Sequence, residues 1–175
     1  MEWEQAITAK EPCVKTRFRL HYFMAKLEAA ARDPEAFALL FCAEGFVTED
    51  TGGNIFIFMN GNLFTPLTRN DFEGISRRTE IEQARELGVP VYERNLSVYD
   101  ILNAEEGFFT TSSYCMLPLS RVGRHQVANV PGPITLKLLQ GWNARAGVDI
   151  VGQALKYHYR ASQIWRAVAT AGAES

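Results

Sequence analysis

The sequence predicts a mixed α/β domain of the α+β kind, on three observations. Segments with apolar residues at three- and four-residue steps alternate with short runs rich in β-branched and aromatic residues. Asn60-Gly61 stands between two such runs, the strongest short-range signal of a β-hairpin. No clean strand–helix–strand rhythm joins the segments, which points away from a purely parallel sheet. A length of 175 residues with 47% apolar residues suits one domain, or one domain with appendages. At that size about 68–70% of the unfolded surface is buried on folding, enough for a core without staples.

The elements follow in order. Residues Arg17 to Ala31 read as a helix: Leu20, Phe23, Leu27 and Ala30 recur at helical spacing, and Asp33-Pro34 ends it. Phe37–Cys42 and Phe46–Thr48 read as strands around a Glu44-Gly45 turn. Asn54–Met59 and Asn62–Thr65 are the two arms of the Asn-Gly hairpin. Gly74 to Leu87 reads as a helix with Ile81, Ala84 and Leu87 inward, stopped by Gly88. Val89–Arg94 is a strand, and Ser97 caps a short helix over Val98–Asn103. Gly107–Thr111 and Cys115–Val122 are strands, the second leading to a turn near Gly123. Pro131-Gly132-Pro133 breaks the chain before a helix over Ile134–Ala146, and Val148–Thr170 is helical in composition.

Composition narrows the function. The net charge is −2, and thirteen Arg and five Lys are scattered, so the basic face of a general nucleic-acid binder is missing. The longest uninterrupted apolar run, Ala36–Ala43, falls far short of the roughly 18 residues of a membrane span. The polar, acidic start Met1-Glu2-Trp3-Glu4-Gln5 is the reverse of a signal peptide. Cys13, Cys42 and Cys115 are odd in number and far apart, with neither a disulfide framework nor zinc-ligand spacing, so a reducing cytoplasm is the default location. Dinucleotide, nucleotide, zinc-protease and serine-hydrolase signatures are absent, and His21, His125 and His158 are widely separated.

Three segments can carry chemistry. Thr48–Asn54 (Thr-Glu-Asp-Thr-Gly-Gly-Asn) sets a carboxylate where a strand gives way to a Gly-rich bend. Gly74-Ile75-Ser76-Arg77 opens a helix, whose free backbone N–H groups and a hydroxyl form a natural phosphate seat. Thr110-Thr111-Ser112-Ser113 is a hydroxyl run after a strand, again suited to an anion. Taken one at a time, these are also an acidic loop, a helix start and a turn. Two anion seats and an acid within one small domain point to a phosphorylated cofactor.

In this order and spacing the segments resemble the fold-type IV (class IV) pyridoxal-phosphate enzymes. That family includes branched-chain aminotransferase, D-amino-acid aminotransferase and aminodeoxychorismate lyase. The resemblance starts at Val14-Lys15 and Ala25–Ala29 and runs through Gly45–Phe56, Asn60–Pro66 and Gly74–Arg77. It continues in Glu86–Val91 and Glu105–Ser112 and closes at Gly132–Thr135, covering roughly residues 14–140. It implies the family's large C-terminal, pseudo-barrel-like domain over 14–150, with a leading segment at 1–13 and a helical extension at 151–175. The start at Met1, close before Lys15, implies that the small N-terminal domain is absent, and with it a phosphate-binding Arg.

The resemblance implies pyridoxal 5'-phosphate as cofactor and assigns roles residue by residue. Lys15 aligns with the lysine that bonds the cofactor and later moves the substrate α-proton. Glu49 aligns with the carboxylate facing the pyridine nitrogen. Ile75 and Ser76 align with the helix-start pair at the phosphate. Ser112 stands where the family has a phosphate-binding Thr, and Ser113 where a backbone N–H holds the phosphate or the substrate carboxylate. Physical chemistry fits these roles. A solvated Lys, with a pKa near 10.4, is protonated and a poor nucleophile, and burial beside a cofactor frees its amine. A carboxylate at the ring nitrogen keeps the pyridinium protonated and the ring electron-poor. A fixed phosphate holds the reactive carbon in place. The stretch Lys15–Tyr22 departs from the best-known branched-chain enzymes and resembles a divergent bacterial-type subgroup. There His21 and Tyr22 have two readings, facing the site or packing, with packing preferred, and neither Arg17 nor Arg19 is assigned the missing phosphate contact.

The function implied is amino-group transfer from an amino acid to a 2-oxo acid, both small molecules, with no nucleic-acid or membrane partner. Homodimerisation follows by resemblance alone. The alternatives are a lyase on the same scaffold, releasing pyruvate from aminodeoxychorismate, and a non-catalytic remnant domain.

Overall fold

The computed structural model describes residues 19–70 and 73–158. The chain divides into two compact units, one ending at Leu138 and the other beginning at Leu139. The elements in order are α1 (Leu20–Arg32), β1 (Leu39–Phe41), β2 (Val47–Asp50), β3 (Asn54–Met59), β4 (Asn62–Thr65), a 3-10 turn at Thr68–Asn70 and α2 (Ile75–Glu86). There follow β5 (Val91–Glu93), α3 (Val98–Leu102), β6 (Glu106–Thr111), β7 (Cys115–Pro118), β8 (Arg121–Val122), β9 (His125–Gln126) and α4 (Pro133–Ala146).

Seven strands, β1 to β7, form one mixed sheet around β3. Antiparallel β6 takes one edge of β3, from Asn54 opposite Thr110 to Phe58 opposite Glu106. The other edge is shared. The end of β2 reaches it at Glu49, opposite Asn54. The hairpin partner β4 covers Ile57–Met59. The hairpin turns through Asn60 (φ 52°) and Gly61 (φ 78°), the left-handed pair that matches the twist of its strands. Parallel β5 joins β4 after the crossover through α2, so one strand–helix–strand unit is present where the sequence pattern shows no clean rhythm.

Asn54 to Ile57 are buried on both sides of the strand. Alternation sends Ile55 and Ile57 to one face, where they cluster with Val47, Leu96, Ile101, Phe109, Leu119 and Val127. It sends Phe56 to the other face, where its ring stacks on Phe108 at 5.2 Å. Helix α2 packs against β5 and β6. It buries Ile81 and Ala84, as its apolar spacing predicts, and also Arg77, Glu80 and Gln83, which spacing does not. One terminal nitrogen of the Arg77 guanidinium donates to the Pro66 carbonyl at 2.7 Å and to the Glu93 carboxylate at 2.8 Å, while its buried Nε is left unpaired among the described residues. The Gln83 amide donates to the Leu138 carbonyl at 2.6 Å.

Several boundaries differ from the sequence pattern for physical reasons. β1 is shorter than Phe37–Cys42. β2 runs on to Asp50 because β1 and β3 pair with its acidic end, overriding the low strand propensity of Glu and Asp. The long strand expected over Cys115–Val122 is two: Pro118, which has no N–H, closes β7, and β8 pairs with β9 around Gly123. Ser97 does cap α3, in a reciprocal capping box with Asp100. Arg94 also bonds Asp100 at 2.8 Å.

Two helix expectations change character. Arg17 lies outside the described residues, and α1 runs from Leu20 to Arg32 with no buried residue. Its stripe of Leu20, Phe23 and Leu27 is exposed. In the second unit, Asn143 accepts the Val148 N–H on its carbonyl and the Ile150 N–H on its side chain, and a helix runs over 150–158. The rest of the helical stretch expected up to Thr170 lies outside the described residues.

Candidate functional site

The polar centre of the sheet is Asn54. It opens β3, is buried, and lies directly opposite Glu49 on one side and Thr110 on the other. Its side-chain oxygen presses on the start of α2: a Cβ at Gly74 would fall 2.4 Å from Asn54 Oδ1. One residue therefore joins the acid at the end of β2, the opening of α2 and the strand that leads to the hydroxyl turn. These are the three segments the sequence singles out for chemistry.

Glu49 is half-buried on β2, and the Tyr22 hydroxyl donates to its Oε1. Tyr22, for which sequence reading preferred packing over facing the site, thus reaches a predicted site residue from the first turn of α1. Arg19 lies 4.8 Å over the Tyr22 ring and donates to the Thr51 carbonyl, and the His21 ring sits 4.0 Å from that of Tyr22. The next residue, Asp50, points the other way and is 1% exposed. It accepts the backbone N–H groups of Gly52 and of Gly53, the latter at 2.6 Å, and faces the Tyr114 hydroxyl at 3.3 Å. Burial raises its pKa above the usual aspartate value, against the lowering pull of those hydrogen bonds, and the Glu49 charge raises it further.

At the start of α2, Gly74 is the N-cap and brings no side-chain cap of its own. The first backbone N–H groups of the helix point outward with the positive end of the helix dipole, the arrangement that suits a phosphate. Ser76 is buried, while the Ile75 side chain is 74% exposed, so Ile75 offers its backbone and not its packing. In the hydroxyl run the members separate. Thr110 is buried and spends its hydroxyl on the Cys115 carbonyl at 2.9 Å, across the turn. Ser112 and Ser113 stand exposed in that turn. Cys115 follows at φ 63°, and burial, then the nearby Glu80 charge, push its thiol up to about 11, so it stays a thiol at neutral pH.

Of the sequence-predicted site residues, the structure brings Glu49, the Ile75-Ser76 pair and the Ser112-Ser113 turn onto segments joined at Asn54. Lys15 lies outside the described residues. Sequence reading missed two contributors, Asn54 and Tyr114, as site residues, and it held the site-facing Tyr22 as the lesser of two readings. Asn54 carried a signal, since it is a polar residue opening an otherwise apolar strand. No group of three or more metal-ligating side chains occurs among the described residues. An acid, a helix start with glycine at its N-cap and two exposed hydroxyls form a donor set for an organic phosphate with a basic ring, so the residues present fit pyridoxal phosphate.

Comparison with known proteins places the fold first. The chain superposes on the T.th. branched-chain amino acid aminotransferase solved with N-(5'-phosphopyridoxyl)-L-glutamate. The TM-score is 0.76 at 26% identity, over 82% of this chain and 48% of that one. It superposes similarly on a putative 4-amino-4-deoxychorismate lyase of Legionella pneumophila, with a TM-score of 0.73 at 27% identity over 82% and 53%. A curated relative, the putative branched-chain-amino-acid aminotransferase of Methanocaldococcus jannaschii, is 38% identical over 130 residues, 73% of this chain and 44% of that protein. Residues 2–122 match the amino-transferase class IV family, and the chain belongs to that family. It spans less than half the length of that curated relative.

Proposed function

We propose that this chain is the cofactor-binding part of a pyridoxal-phosphate-dependent aminotransferase, moving an amino group from an amino acid to a 2-oxo acid. The observation that carries the reading is the convergence at Asn54 of Glu49, the start of α2 and the strand leading to Ser112. Bound pyridoxal phosphate supplies an electron-poor ring that accepts the electrons released when the substrate loses its α-proton. The chain's own residues do the rest. Glu49 holds a proton at the ring nitrogen. The backbone of Ile75 and the hydroxyls of Ser76 and Ser112 bind the phosphate, with the Ser113 N–H beside them. Lys15 anchors the cofactor and moves the α-proton with its amine. Tyr22, through its hydrogen bond, orients the Glu49 carboxylate. The family membership and the superposition on an aminotransferase solved with a phosphopyridoxyl compound support this reading. A cytoplasmic location and a homodimer belong to the same proposal.

The lyase superposition favours one second reading, release of pyruvate from aminodeoxychorismate by the same residues. Assaying amino transfer to 2-oxoglutarate against pyruvate release separates the two. The lysine is tested by mixing the chain with pyridoxal phosphate, reducing with borohydride and mapping the modified peptide. Label on Lys15 is expected, and label on Lys10, Lys26, Lys137 or Lys156 in its place would refute the assignment. Glu49→Ala is expected to retain part of the cofactor binding and to slow single-turnover proton abstraction roughly ten- to a hundred-fold, the worth of one charge-assisted hydrogen bond. An unchanged rate would remove Glu49 from the site.

A further inference from the structure

Between Glu49 and the Ser112-Ser113 turn lies a contact that the roles above do not use. Asp50 sits beside Glu49 and Tyr114 beside Ser113, and the Tyr114 hydroxyl faces Asp50 Oδ2 at 3.3 Å. The two loops are pressed together there. A Cβ at Gly53 would fall 2.7 Å from the Thr110 carbonyl oxygen and 3.2 Å from the Tyr114 hydroxyl. The Tyr114 ring is itself held, edge-on to Phe37 at 6.4 Å and packed against the core cluster. Burial, and then the Asp50 charge, push the Tyr114 pKa well above the ordinary tyrosine value, so the hydroxyl keeps its proton and remains a donor. Asp50 takes two backbone N–H groups of its own bend as well. The carboxylate therefore fixes the shape of one loop and the position of the other.

We propose that Asp50 and Tyr114 are positioning residues that set the spacing between Glu49 and the Ser112-Ser113 turn. A ligand with a ring nitrogen at one end and a phosphate at the other is then gripped at both. This rests on the cofactor reading above. Neither residue touches the cofactor in it. Their effect is on registration: a turn freed from Asp50 still carries its hydroxyls but no longer holds them at the distance the ligand requires.

The test is phosphate selectivity, the ratio of dissociation constants for pyridoxal and pyridoxal 5'-phosphate. It is measured by absorbance titration on the 175-residue chain and on Tyr114→Phe, Asp50→Asn and Asp50→Ala. Tyr114→Phe removes one oxygen and should lower affinity for pyridoxal phosphate about tenfold, as expected for one hydrogen bond to a charged acceptor. Affinity for pyridoxal should stay within about twofold, because its ring end still meets Glu49. Asp50→Asn should keep selectivity, since its amide oxygen can serve the bend and its NH2 can donate to the Tyr114 oxygen. Asp50→Ala should lose it. If Asp50→Ala does not fold, Tyr114→Phe still decides. A brace with only a structural role would weaken both ligands alike and lower the melting temperature, and that result, or no change in either ligand, would overturn the proposal. A parent chain that binds pyridoxal as tightly as pyridoxal phosphate would instead remove the phosphate seat itself, and this proposal with it.

Discussion

The two ends of β3 are built on opposite plans. At the Asn54 end, buried polar groups gather (Thr48, Asp50, Asn54 and Thr110), and the glycines are there for room. Gly53 lies against the Thr110 carbonyl and Gly74 against the Asn54 amide. At the Met59 end the hairpin closes on itself in open space. Gly61 has nothing within 4 Å of where a Cβ would stand, and serves only to turn the backbone through positive φ. One end is made by distant segments crowding together, the other by a turn between neighbours in sequence with Glu105 and Glu106 alongside. The lesson is that crowding, not backbone conformation, marks the end where the candidate site lies.

Removing what both ends share should have the largest effect. Phe56 is buried between them and stacked on Phe108, so Phe56→Ala should cost about 3–5 kcal/mol in urea unfolding, with both ends failing together. A loss confined to cofactor binding would show that the ends are not coupled through β3. Next comes the contrast of glycines. Gly53→Ala should cost about 1–3 kcal/mol by overpacking and also weaken pyridoxal phosphate binding. Gly61→Ala should cost about 1–2 kcal/mol through backbone strain alone and leave binding intact. Equal effects on binding would break the comparison. The smallest effect lies away from both ends, at Asp100. Burial alone would raise its pKa, but the hydrogen bonds from Arg94 and Ser97 and the Arg94 charge hold it at about 2, against an ordinary 3.8. With the folded-state value depressed, its stabilising contribution is complete above the ordinary value and disappears as pH falls towards 2. The stability gap between the parent chain and Asp100→Asn should therefore shrink from about pH 4 down to about 2, with no such change between about pH 6 and 8.

What could be read from the sequence divides along the same line. The hairpin was legible to the residue, because the turn at Asn60-Gly61 and the register of its two arms are set locally, although β6 and β5 later pair with those arms. The Ser97 cap and the inward Ile81 and Ala84 were legible for the same local reason. The candidate acid and helix start were legible as motifs, and Glu49 and Ser76 do sit on segments that meet. That Asn54 joins them was not, since the pairings with Glu49 and Thr110 arise from folding. The buried faces of Arg77 and Gln83 escaped for a related reason. Their partners, Glu93 and the Leu138 carbonyl, are remote in sequence, and polarity alone assigns such side chains to solvent. Apolar spacing likewise marks the stripe on α1, but it says nothing of whether the surface facing that stripe is present among the described residues.

The start of α4 shows how little freedom such a remote pairing leaves. The Glu106 carboxylate, 2% exposed, accepts the Ile134 and Thr135 backbone N–H groups and the Thr135 hydroxyl at 2.8–3.0 Å. Gly132 backs onto the same side chain so closely that a Cβ would lie 2.1 Å from its carboxyl carbon. Three donors need an acceptor with two oxygens, and a neutral amide offers one and turns a donor towards donors. Aspartate is a methylene too short for the same reach. Among the twenty residues this position has one solution. Position 132 is bound to it, since any side chain there meets the carboxylate first. The two positions are thus tied together, so a substitution at either one disturbs the start of α4 from outside the candidate site.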